Sequence, residues 1–131
     1  MSIYAWTQVP FREKDRALLY VPGVAIGGYS VSPAMMNDAP EQFSTAVWRV
    51  SEIHYGVMIV CYTDFNVALN FARYLDRCYG DISALAYRYV NQHPPTNEDK
   101  RILAETYEKR QHVCMHNDEW IEYIPFNQED Y

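Results

Sequence analysis

The sequence has no even set of cysteines. Cys61, Cys78 and Cys114 are three in number and far apart, which excludes the fully paired disulfide framework of a small secreted domain. It shows no basic stretch leading into an apolar core near residue 1, so no secretory signal is expected and a reduced, cytoplasmic setting is. Long apolar runs are missing too. The longest, 57–62, is far short of the roughly 20 residues needed to cross a bilayer, so no membrane partner is expected. There is no internal repeat and no low-complexity tract.

One further absence is local. Residues 112–131 contain no Lys or Arg but carry Asp118, Glu119, Glu122, Glu129 and Asp130, and so hold most of the net charge of −6. Affinity for nucleic acid comes from Lys and Arg displacing phosphate counterions, so direct nucleic-acid binding is not expected. An acidic end favours a protein partner with a basic surface.

What the sequence does have is apolar and aromatic material. Of its 131 residues 49% are hydrophobic and 15% aromatic, with twelve Tyr and three Trp, a composition that folds rather than staying disordered. The chain is of a length for one domain, with the last few residues frayed. Residues 57–63 are short and rich in β-branched side chains, a strand covered on both faces. Asp64 caps a following helix on which Phe65, Ala68, Leu69, Ala72, Leu75 and Tyr79 form one apolar face. Asn66, Asn70, Arg73 and Arg77 form its polar stripe, and Gly80 ends it. Residues 82–90, with Tyr87, Tyr89 and Val90, are strand-like.

The expected architecture is therefore a single α+β domain with a mixed sheet of five to seven strands and three helices, centred on a strand–helix–strand unit over 57–90. Further strands are expected over 3–9, 17–21 and 24–32, the last with Gly27 and Gly28 as an internal bulge or a close backbone approach. The recurrence of Phe43, Val47, Val50 and His54 predicts a helix over 40–54, although 45–50 also fits a strand. Thr96 and Asp99 form a capping box for a helix to about Arg110, supported by a Glu105–Lys109 pair. Residues 112–126 are expected to form two strands turning at Asn117 and Asp118.

Three groups of residues carry candidate chemistry. On a strand, His112, Cys114 and His116 project from one face and could converge on Zn²⁺ or Cu⁺, with Asp118 or Glu119 as a fourth ligand. On a continued helix Cys114 points elsewhere, and all three also fit ordinary packing and surface roles. Cys61 near His54 has the composition of a thiol–imidazole pair, but its apolar run favours a structural, inert thiol. Arg73 and Arg77 could clamp a carboxylate or phosphate, or serve as the solvated face of a buried helix.

No convincing catalytic set emerges, and no cofactor is expected beyond a possible zinc. The expected function is a small acidic inhibitor that blocks a basic, nucleic-acid-handling macromolecule, in the manner of phage anti-defence inhibitors or toxin-immunity proteins. Asp118, Glu119, Trp120, Glu122 and Tyr123 would form its docking surface, with Arg73 and Arg77 as a second outward-facing group. The alternatives are a small metal-dependent enzyme using His112, Cys114 and His116, and a homo-oligomeric structural or virion component built on exposed aromatics.

Overall fold

The computed structural model describes residues 5–12, 18–35, 43–115 and 123–124; the side chains of 35, 43–46, 110–115 and 123–124 are not described. Six strands form one sheet in sequence order: β1 (Trp6–Phe11), β2 (Leu19–Ile26), β3 (Tyr29–Met35), β4 (Phe43–Glu52), β5 (Met58–Tyr62) and β6 (Tyr123–Ile124). Helices α1 (Phe65–Tyr79), α2 (Ser83–Val90) and α3 (Asn97–Met115) follow β5. The fold is α+β, as expected. Every strand pairing is antiparallel, so the sheet is a meander and not mixed.

Four sequence expectations are corrected. Residues 40–54 are not helical: 43–52 form β4, where Trp48 and Val50 face one side and Arg49 and Ser51 the other. Their apolar spacing satisfies both periods, and the β-branched and aromatic content decides for strand. Gly27 and Gly28 are not a bulge within one strand but the turn of the β2–β3 hairpin, closed by the Ile26–Tyr29 pair with Gly27 at φ +55, and the close approach expected there is present, since a Cβ on Gly28 would stand 3.1 Å from Gly80 O. Strand β2 consequently runs through Pro22, where β3 no longer pairs with it.

Residues 83–90 are α2, so the 57–90 unit is strand–helix–helix. Ala84, Leu85, Ala86 and Arg88 are good helix formers, and the Asp81 carboxylate accepts the Ser83 N–H at 2.7 Å to start the turn. Finally α3 continues to Met115, so the first arm of the expected C-terminal hairpin is helical. The second arm is described at Tyr123 and Ile124, which pair with Tyr62 and Cys61.

The capping signals are realised as expected. Asp64 Oδ1 accepts the Val67 N–H at 3.0 Å, and Gly80 closes α1 at φ +58. Thr96 Oγ1 accepts the Asp99 N–H and Asp99 Oδ2 accepts the Thr96 N–H, each at 3.0 Å, a complete capping box.

Helix α1 lies across one face of the sheet. Val67, Ala68, Leu69, Phe71, Ala72 and Leu75 are buried against Val24, Val31, Val50, Val60 and Tyr62. Phe71 meets the Tyr62 ring edge-on at 5.8 Å between centroids. At the end of this layer Trp6 stacks on Phe65, and Trp48 meets Phe65 edge-on at 4.7 Å.

The opposite face curls on itself. The Arg12 N–H donates to Gly56 O at 3.0 Å and its Nε to Tyr55 O at 2.8 Å, joining the end of β1 to the β4–β5 turn. Inside the curl, Val9, Phe11 and Val21 form a second cluster. Buried Arg49 lies 3.8 Å above the Phe11 ring and donates to Ser51 Oγ and to the carbonyls of Arg12 and Gly56. A buried guanidinium is tolerable only with such donors satisfied.

Candidate functional site: an apolar cavity beneath the second helical layer

Helices α2 and α3 cover the sheet far less tightly than α1 does. Among their described side chains only Ala86 and Asp99 are buried. Two polar clasps hold them in place. Arg88 donates from Nε and Nη2 to the two oxygens of Asp99, both at 2.6 Å, tying α2 to the start of α3. This bidentate bond and the Thr96 N–H hold the Asp99 carboxyl at about 2, against the cost of burying it. The second clasp is the Tyr79 hydroxyl, which donates to Glu105 Oε2 at 3.2 Å and joins α1 to α3. Burial and this carboxylate push Tyr79 up to about 12.

Between these helices and the sheet lies a cavity of about 170 Å³. Tyr29 and Glu52 form the sheet wall, and Leu75 and Tyr79 the α1 wall. Ala86 and Tyr89 of α2 and Leu103 of α3 close it on the other side. Ala86, the one buried side chain of α2, is small.

Two wall residues are unusual for a core. Tyr29 is 0% exposed, and its hydroxyl has no hydrogen-bond partner among the described residues. Burial raises its pKa, and Asp76, Glu52, Tyr79 and Asp81 raise it further, so the phenol stays protonated. Glu52, paired with Tyr29 across β3 and β4, is 1% exposed. Its carboxylate accepts the N–H groups of His54 and Tyr55, each at 2.7 Å, and touches His54 Nδ1 at 2.8 Å, so it holds the tight turn before Gly56.

None of these residues was singled out from sequence as a site. The available signal was Glu52, an acid a few residues before the apolar run 57–62, because a buried polar group is informative where a buried apolar one is not. Tyr29 carried no signal of its own.

The residues that were singled out fall elsewhere. Arg77 is exposed on α1, and Arg73 accompanies it with Nη1 3.2 Å from Asn70 Oδ1; neither lines the cavity. Tyr123 contributes its backbone to β6. Asp118, Glu119, Trp120 and Glu122 lie outside the described residues, as does His116. His112 and Cys114 sit on the backbone of α3, so the strand spacing that would align them is absent. Among the described residues no group of three or more His, Cys, Asp or Glu is arranged to hold a metal.

Cys61 is buried and points its thiol at Met58 Sδ, 3.4 Å away. Burial pushes the thiol up to about 11 although Arg49 lowers it, so it stays un-ionised near neutrality, in keeping with a structural role. Among the described residues no helix is long and apolar enough to cross a membrane.

Comparison of the chain with family models, with curated proteins and with solved structures finds no match.

Proposed function

We propose that this chain is a binding protein whose ligand is a small, largely apolar molecule held between the sheet and the α2–α3 layer. The observation that carries this reading is the cavity itself, about 170 Å³ and lined mostly by apolar side chains of the sheet, α1, α2 and α3. An apolar cavity with one or two convergent polar groups is the usual form of a small-ligand site. The clasps Arg88–Asp99 and Tyr79–Glu105 are polar, and among the described side chains of α2 and α3 only Ala86 and Asp99 are buried, so the helical layer can part from the sheet while the α1 core stays packed.

Thermal unfolding in the presence of toluene tests the reading. A ligand at about 100 times its Kd stabilises by about 2.7 kcal/mol, which raises Tm by several degrees. The rise should saturate and should vanish in Ala86→Phe, where the new ring fills the cavity. No rise in the wild-type protein would reject the reading.

The charge of residues 112–131 favours a second proposal, that this acidic end docks on a protein with a basic surface and inhibits it, as in anti-defence or immunity inhibitors. Charge reversal at Asp118, Glu119 and Glu122 should then abolish retention of the partner in a salt-dependent way. Unchanged, salt-insensitive retention would end that proposal.

A further inference from the structure

The walls of the cavity are unequally held. On the sheet and α1 side Tyr29, Glu52, Val57 and Leu75 are buried. Tyr29 pairs with Glu52, and the Glu52 N–H donates to Val57 O at 2.9 Å, so the sheet wall is one hydrogen-bonded surface. On the α3 side Ile102, Leu103 and Thr106 are half-buried and Tyr107 is exposed. Resting on the cavity being a binding site, we propose that α3 is the wall that moves to admit a ligand, and that the Tyr79–Glu105 hydrogen bond is the latch that sets how fast the ligand enters and leaves.

The bond is placed for that role. The Tyr79 ring lines the cavity, while its hydroxyl donates at 3.2 Å to Glu105 Oε2, which lies outside the lining. Arg101 Nη1 donates to the same oxygen at 2.7 Å and holds the carboxylate within reach of Tyr79. At the start of α3 Arg88 grips Asp99. The helix is thus pinned to α2 at its beginning and fastened to α1 at its middle. Side chains already half in water lose little apolar contact when α3 swings away, so opening costs less than global unfolding and one hydrogen bond is a substantial part of that cost.

A ligand enclosed between α3 and the sheet waits for this opening. The latch is made both with and without a ligand in the cavity, so its loss changes the rates of entry and exit together and leaves their ratio. Burial and Glu105 keep the Tyr79 phenol protonated, and it stays a donor through the ordinary pH range.

Exchange of toluene with the full chain, followed by NMR magnetisation transfer, tests the latch. Tyr79→Phe keeps the ring in the wall and removes the donor, and should raise the entry and exit rates together by about threefold to tenfold, the worth of one hydrogen bond, with Kd unchanged. Glu105→Ala should do the same and add nothing when combined with Tyr79→Phe, because both remove one bond. Glu105→Gln, which keeps an acceptor oxygen, should stay near the wild-type rates. Without ligand, amide exchange over 100–109 should quicken in Tyr79→Phe while that over 67–75 does not. If toluene does not bind the wild-type protein, the cavity is not a site and the underlying reading fails. If toluene binds but Tyr79→Phe leaves both rates as they were, or quickens amide exchange in α1 as much as in α3, the site stands and the latch is overturned.

Discussion

The two helical layers of this molecule cover the same sheet by different means. Helix α1 buries six side chains in a continuous apolar layer and is capped at both ends. Helices α2 and α3 bury one apolar side chain between them among those described, and rely on Arg88–Asp99 and Tyr79–Glu105. Apolar packing is close and non-directional and so leaves no space, whereas a polar clasp fixes a helix at a distance and permits a gap. Stability is therefore concentrated in the sheet and α1, and the cavity lies where the second layer begins.

That contrast breaks most severely in the first layer. Phe71→Ala should cost about 3–5 kcal/mol in chemical denaturation, because its ring fills a fully buried site between Tyr62 and Tyr74. Tyr107→Ala in the second layer, 60% exposed, should cost less than about 1.5 kcal/mol in the same experiment. Equal losses would erase the distinction.

Gly56→Ala should cost about 3 kcal/mol. Its φ of +68 is unfavourable for a residue with a Cβ, and that Cβ would stand 2.9 Å from the backbone nitrogens of Phe11 and Arg12. The denaturant midpoint measures this, and a wild-type value would show that β1 does not close against the β4–β5 turn.

Asp99→Ala should cost about 1–2 kcal/mol, since it removes the α3 cap together with the Arg88 clasp. The native carboxyl at about 2 lies below the ordinary aspartate value of about 3.9. Its contribution is therefore complete above pH 4 or so and is lost as pH falls through about 2. Comparing wild type with Asp99→Ala at pH 5 and at pH 2 should show the difference between them shrinking in acid. Amide exchange should report the same hierarchy, with α2 and α3 opening at lower free energy than α1.

How far this architecture was legible depended on how local its causes were. Asp64, Gly80, Thr96 and Asp99 act on backbone groups within a few residues, and each took the place its spacing implied. Residues 43–52 and 83–90 exchanged their expected states because short apolar segments carry both periods. Burial between β3 and β5 settled the first, and the Asp81–Ser83 turn settled the second. The cavity was not legible. Tyr29 and Glu52 meet only through strand pairing, and the gap beside them depends on where two later helices stop packing. Arg73 and Arg77, by contrast, lie on the polar stripe of α1 as their spacing implied.

The stability of Tyr29→Phe, measured by chemical denaturation, tests most directly whether the sheet core under the second helical layer holds an unsatisfied hydroxyl. Removing a buried hydroxyl that has no partner among the described residues should leave the protein as stable as the wild type, or more stable by about 1 kcal/mol. A loss of more than about 1 kcal/mol would show that the hydroxyl is already satisfied within the fold, and would contradict the account.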